Sequence, residues 1–245
     1  MTPSYKAIIP YRIKAWLKGR RRQLLLRRGI SAFLDAPSAA ADSPRVLSDL
    51  IRGWGNEEWS AHREYLEACL TAVRNTSGTV LECGSGLTTL LCGALAREQG
   101  RQYIALEHSD VWAARVESFL NRFGISGVQL VRTPLRSYGA ADWYDLTEAN
   151  LPETFGLVIC DGPPGSTPGG RSGLAVAVGS CLQKGCVIML DDTHRSEEHA
   201  LAERWRDELP AALSFHGKQG RFARLEVQQS DVLAQRPVVH PGPSV

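Results

Sequence analysis

From residue 79 onward the chain alternates short apolar runs with amphipathic segments. Thr79–Cys83, Gln102–Glu107, Val128–Arg132, Phe155–Asp161 and Cys186–Asp191 have the length and β-branched, apolar character of strands buried on both faces. Between them, Leu87–Arg97, Asp110–Phe123 and Leu174–Leu182 carry helical spacing. Asp110 stands where a cap is needed, and Gly100 and Gly124 stand just past two of the helices. A further helix is expected to start at Asn56 as its cap, with Trp59, Leu66, Cys69, Leu70 and Val73 on its apolar face. Ser196–Leu209, stopped by Pro210, supplies one more. Ala212–His216 and Phe222–Gln228, joined by Gly217-Lys-Gln-Gly220, read as a terminal hairpin.

Alternating strands and helices predict a doubly wound, Rossmann-like α/β domain. Its sheet is mostly parallel and ends in an antiparallel hairpin, with helices added at the N-terminus. The domain is expected to span 56–229. Before it, 1–55 forms a basic helical extension with an Ala/Ser/Pro-rich linker over Ala36–Pro44, and after it 230–245 is a Pro-rich tail expected to be disordered.

Charge adds a feature that the hydrophobic pattern hides. Residues 1–34 contain nine Lys/Arg and no Asp/Glu, leaving 19 of the 28 basic side chains in the rest of the chain against all 26 acidic ones. A basic arm is fused to an acidic body. The block Lys18–Arg28 can form a short basic amphipathic helix lying on anionic lipid, nucleic acid or an acidic partner; the alternative is a solvated helix or a disordered tail. The six cysteines sit in apolar stretches without a Cys-x-x-Cys pair, which argues against a zinc site or a disulfide framework. With no membrane-length apolar run and no signal-like start, the expectation is a cytoplasmic protein, with membrane-peripheral attachment through the arm left open.

Two segments carry candidate chemistry. Val80-Leu-Glu-Cys-Gly-Ser-Gly-Leu-Thr-Thr89 is a strand that ends beside Glu82, turns through Gly84-Ser85-Gly86 and enters a helix. Glycines there admit a ligand close to the backbone, and the free N–H groups at the helix start favour an acceptor. Glu107, at the end of the next strand, is placed to accept both hydroxyls of a ribose. Together they predict an adenosine-bearing ligand. A nicotinamide dinucleotide fits poorly, because the third glycine of Gly-x-Gly-x-x-Gly is replaced by Thr89. The second segment is Val158-Ile-Cys-Asp161-Gly-Pro-Pro-Gly165, followed about one strand later by Leu190-Asp191-Asp192-Thr-His194-Arg195. Adjacent strand ends should bring Asp161, Asp191 and Asp192 together as oxygen ligands suited to Mg²⁺; the alternative is that Asp161 orients a cofactor while the other two cap a loop or pair with Arg195. His194 is a candidate general base. Arg171 and Arg195 either bind an anionic acceptor or form salt bridges, and Trp143 and Tyr144 either line an acceptor pocket or pack beneath the loop.

Over roughly Trp59–Gln228 these residues resemble the class I S-adenosylmethionine-dependent methyltransferases. Glu82-Cys-Gly-Ser-Gly86 resembles that family's first motif, Glu107 its ribose-binding acid, Val158–Asp161 its fourth motif and the terminal hairpin its last two strands. The resemblance implies that Glu82, Gly84, Ser85, Gly86 and Thr88 surround the methionine moiety, that Glu107 holds the ribose, and that His108, Pro134 and Leu135 meet the adenine, with Asp161 also near the cofactor. Arg132-Thr-Pro-Leu135 lacks the acid that many relatives carry there. The aspartate cluster is similar to that of metal-dependent O-methyltransferases, which implies a small-molecule or sugar hydroxyl as acceptor, with Mg²⁺ polarising it. Rival readings are a non-catalytic cofactor-binding scaffold docked through the arm, an RNA or protein methyltransferase, and a nicotinamide oxidoreductase; homo-oligomerisation is left open.

Overall fold

A computed structural model describes residues 11–55, 61–147 and 149–228. The chain separates into two compact units, Met1–Ser60 and Ala61–Val245. The N-terminal unit contains α1 (Tyr11–Asp35), α2 (Pro37–Ala41) and α3 (Pro44–Trp54). The segment expected to be a linker is therefore largely the short helix α2, opened by Pro37 at its first position, where a missing N–H costs nothing. α3 is capped by the Ser43 hydroxyl. Leu26, Ile30 and Phe33 of α1 are buried, as are Leu47, Leu50 and Trp54 of α3. Two glycines allow the close crossing of α1 and α3: a Cβ on Gly53 would lie 2.4 Å from the Leu26 backbone nitrogen, and one on Gly29 would lie 2.8 Å from Leu50 Cγ.

The second unit opens with α4 (Arg63–Asn75), capped by the His62 ring, which accepts from the Glu64 N–H. The expected start of this helix at Asn56, and Trp59 with it, lie outside the described residues. Then follow β1 (Val80–Cys83), α5 (Leu87–Glu98), β2 (Tyr103–Glu107), α6 (Asp110–Phe123), β3 (Val128–Arg132), β4 (Leu135–Ser137), β5 (Asp142–Tyr144), β6 (Phe155–Cys160), α7 (Gly173–Val178), β7 (Leu182–Leu190), α8 (Ser196–Glu208), β8 (Ala211–His216) and β9 (Phe222–Val227). Seven strands form one sheet in the order β3-β2-β1-β6-β7-β9-β8. All neighbours are parallel except β9, which runs antiparallel to both β7 and β8. The Rossmann-like sheet with its terminal hairpin is as the sequence pattern predicts.

Three local expectations need correction. Ser109, not Asp110, caps α6, its hydroxyl accepting from the Trp112 N–H, while Asp110 sits in the first turn, where its charge favours the helix dipole. The helix expected over Leu174–Leu182 ends at Val178, and Leu182 instead opens β7, which is longer than its apolar run because Gln183–Gly185 pass through an exposed bulge. The hairpin β4–β5 was not anticipated from the pattern; its strands have three residues each, too few to show alternation.

Strand parity divides the core. Leu81, Cys83, Ile104, Leu106, Val158 and Cys160 join the layer containing α7, α8, Trp143 and Tyr144. Val80, Glu82, Tyr103 and Ala105 alternate with them and turn to the other face, where the side chains of Glu82 and of Thr88 on α5 meet. At the carboxyl ends the backbone continues the ladder across the sheet. Gly84 N–H donates to Leu106 O (3.0 Å), Asp161 N–H to Cys83 O (3.0 Å) and Asp191 N–H to Cys160 O (3.1 Å). The loops that leave β1, β2, β6 and β7 are thereby fixed on one rim.

At the opposite end of β6, a Cβ on Gly156 would fall 1.7 Å from the Ser77 carbonyl oxygen. Gly156→Ala is expected to cost on the order of 1–3 kcal/mol, since the obstacle is backbone that must move. Urea denaturation monitored by circular dichroism measures it; an unchanged midpoint would contradict this packing.

Candidate functional site

Gly84-Ser85-Gly86 turns between β1 and α5 at the point where the strand order reverses, β2 lying on one side of β1 and β6 on the other. Open α/β sheets form a ligand crevice at such a point. Gly84 has φ +86°, and a Cβ on it would come within 3.1 Å of the Gly162 nitrogen. Across the contact, a Cβ on Gly162 would lie 3.0 Å from Gly84 Cα and 2.5 Å from the Tyr144 hydroxyl. The turn after β1 and the loop after β6 therefore meet backbone to backbone. A Cβ on Gly86 would meet nothing nearer than Thr88 Oγ1 at 4.0 Å, so the outer side of the turn is open.

Glu107, only 4% exposed, is tied to this turn. Its Oε2 accepts from the Ser85 N–H (3.0 Å) and the Ser85 hydroxyl (2.8 Å), and its Oε1 accepts from the Ser109 N–H (2.9 Å). From α6, the Trp112 indole N–H donates to Ser85 O at 2.6 Å. Trp112 carries no sequence signal beyond its place in a first helical turn, and it was missed. Thr89, which stands where a dinucleotide fingerprint needs glycine, accepts from the Gly86 N–H at 2.8 Å and thus caps α5.

Glu82 is placed differently from the expectation that it faces the ligand. It is fully buried under α5 and accepts a short hydrogen bond from the Thr88 hydroxyl; its other oxygen has no partner among the described residues. Burial pushes its carboxyl up from 4.5 to about 8, with the hydroxyls of Thr88 and Thr89 opposing part of the rise. His108 lies with Nδ1 3.4 Å from Glu107 Oε1, outside hydrogen-bond geometry, and its ring stands edge-on to Tyr144. Pro134 O accepts from Asp145 N–H, and Leu135 pairs with Tyr144 in the β4–β5 hairpin beyond β3. Trp143 and Tyr144 are wholly buried and pack under the loop rather than lining an open pocket.

The expected Mg²⁺ site needs correction. The three aspartates share the rim, but the cation among them is Arg171, whose side chain is 2% exposed. Its Nη2 donates to Asp192 Oδ2 (2.9 Å), Asp161 Oδ1 (3.2 Å) and Asp161 O (3.0 Å), and its Nη1 donates to Asp191 O (2.7 Å). From the solvent side Arg195 Nη1 reaches Asp192 Oδ2 at 3.1 Å. The Asp191 carboxylate folds back onto the Asp192 N–H, and burial together with its two acidic neighbours pushes it well above the usual range, toward the neutral acid. A guanidinium already compensates the charge that a metal would meet, and no group of His, Cys, Asp and Glu among the described residues has metal-binding geometry. The donor set does not fit Mg²⁺. Of the two readings of Arg171 and Arg195, salt bridging is what the structure contains. His194 is exposed on the loop after β7.

A sulfonium nucleoside suits the crevice better than a metal suits the rim. The open side of Gly86 leaves room against the start of α5, and Glu107 offers acceptor oxygens beside it. His108, which follows Glu107, has its Nδ1 buried and without a hydrogen-bond partner among the described residues.

No protein-family model matches the chain, and no curated protein matches it in sequence. Solved structures do. The SAH-bound methyltransferase of Podospora anserina aligns over 91% of this chain and 99% of its own, with a TM-score of 0.54 and 14% identity. A Staphylococcus aureus protein named as a caffeoyl-CoA O-methyltransferase aligns over 80% of this chain and 98% of its own, with a TM-score of 0.58 and 10% identity. A precorrin-6y C5,15-methyltransferase from Geobacter metallireducens aligns over 71% and 96%, with a TM-score of 0.50 and 15% identity.

Stability should fall as pH rises from 4.5 to about 8, because across that window folded Glu82 retains a proton that the unfolded chain releases. The slope from this group is up to about 1.4 kcal/mol per pH unit. Glu82→Gln keeps an acceptor for Thr88 and should flatten the profile in urea titrations, whereas an identical slope in both proteins would refute the sealed, protonated carboxyl. In fold, the chain is similar to these Rossmann-like methyltransferase structures.

Proposed function

We propose that the chain is an S-adenosylmethionine-dependent methyltransferase acting on a hydroxyl of a small molecule or sugar. The observation that supports the cofactor part of this reading is the bond between Glu107 at the end of β2 and Ser85 in the turn after β1. In a fold shared with methyltransferases, it joins the two elements that would grip opposite ends of one nucleoside.

Gly84, Ser85, Gly86 and the α5 start, held from below by Thr88 and Glu82, would receive the methionine end. Glu107 would hold the ribose, and His108, Pro134 and Leu135 would flank the adenine. The bound cofactor supplies an electrophilic methyl group. Asp161 is the first candidate to take the acceptor proton: its side chain is 28% exposed at the rim, and Arg171 fixes one of its oxygens. Burial raises its carboxyl from 3.8 to about 6, held down in part by Arg171 and raised further by Asp192. It is ionised at neutral pH yet basic enough to accept a proton. His194, exposed on the loop after β7, is the second candidate base. Orientation of the hydroxyl against the methyl group would supply much of the rate. No step requires a metal.

Calorimetry with S-adenosylhomocysteine tests the cofactor reading. Glu107→Ala should weaken binding about 10- to 100-fold, the range expected when charge-assisted hydrogen bonds are lost, and absence of affinity in the unmodified protein overturns the proposal. Transfer of a labelled methyl group to a panel of hydroxylated small molecules and sugars tests the acceptor class. Turnover should persist in EDTA and should decline as pH drops through about 6, where Asp161 becomes protonated. Asp161→Asn should remove that limb of the profile along with most of the rate.

A further inference from the structure

Over Ile13–Leu24, α1 displays a face that the packing of its own unit does not use. Ile13, Trp16, Leu17 and Leu24 are 48%, 57%, 48% and 66% exposed, and they account for four of the six large hydrophobic side chains exposed among the described residues. At about 100° per residue they fall within roughly 100° of arc, with Arg20 in the same band. The buried positions Leu26, Gly29, Ile30 and Phe33 occupy the opposite side of the helix. The stripe therefore points away from the core of its unit.

Its surroundings are cationic. α1 contains eight Lys/Arg against a single acid, Asp35 at its last position. Lys18, Arg20, Arg21 and Arg27 are exposed, and the Arg20 guanidinium lies 5.0 Å from the Trp16 ring centroid. A polyanion alone would explain the charges but not four exposed apolar side chains aligned with them. An acidic protein groove would explain both in part, yet nothing requires a tryptophan beside arginines at the tip. A bilayer surface with anionic lipids answers every element. Its headgroup phosphates pair with the cations, and the acyl boundary receives Trp16 and the aliphatic stripe, whose arginine neighbours can extend to the phosphates. No described helix is long and apolar enough to cross a membrane, so this one would lie in the plane of the surface.

We infer that the outer face of α1, centred on Trp16, Arg20 and Leu24, is a docking surface for membranes rich in anionic phospholipid. Docking is independent of cofactor binding, so it stands or falls apart from the methyltransferase reading.

Co-sedimentation of the full chain with phosphatidylcholine vesicles, with and without phosphatidylglycerol, tests it. Binding is expected only when phosphatidylglycerol is present, and rising salt should weaken it. Trp16→Ala with Leu24→Ser should reduce partitioning about tenfold or more through lost apolar insertion. Arg20→Glu with Arg21→Glu should reduce it at least as much through lost charge. All four side chains are exposed, so helicity and S-adenosylhomocysteine affinity should be unchanged, and circular dichroism and calorimetry check that the variants are folded. Any of four results overturns the inference: no binding to the mixed vesicles, binding that ignores the Trp16/Leu24 pair, capture of RNA in preference to vesicles, or a dimer in sedimentation equilibrium that Trp16→Ala dissociates.

Discussion

The arrangement of the site depends on the crossing of Gly84 and Gly162, where two strand exits touch without side chains between them. A methyl group on either residue would press on the backbone of the other, so the turn that would receive the cofactor and the loop that begins at Asp161 are set at a fixed spacing. Everything polar on the rim is arranged around this contact. Glu107 and Trp112 hold the turn from the β2 side, and Arg171 holds the Asp161 loop from the β7 side. Tyr144, buried behind Gly162, closes the back of the crossing.

The fold was legible because its information is local and periodic. Val128–Arg132 and Asp110–Phe123 have the bounds that apolar spacing alone predicts, and the other core strands shift at most at their ends, except β7. Glu107 and the glycine turn were also legible as a pair, since parallel neighbours in register bring strand ends to one rim. What the sequence could not convey was direction and distance across loops. Glu82 is the penultimate residue of its strand, and parity turns it beneath α5 rather than outward. Arg171 stands ten residues beyond Asp161 in a Gly/Pro-rich stretch without periodicity, so nothing in the spacing places its guanidinium among the aspartates.

That cation changes the character of the rim. Three carboxylates at adjacent strand ends attract a positive charge whatever its source, and here the chain provides one that cannot dissociate and does not lose its proton in the physiological range. A guanidinium also imposes directions that a spherical ion does not. Its planar donors hold Asp161 and Asp192 in one relative orientation. Removing such a group strands carboxylates at the rim against each other, which makes Arg171 a residue on which the arrangement of this rim depends.

The glycines at the crossing of α1 and α3 have a comparable effect on the N-terminal unit. With Gly53 against Leu26 and Gly29 against Leu50, neither helix can roll about its axis without driving a side chain into a neighbouring turn. The azimuth of α1 is thereby keyed like a shaft in its slot: whatever meets Trp16 and Leu24 on its outer face also bears on α3, so a contact made on one helix is felt as an orientation of the other.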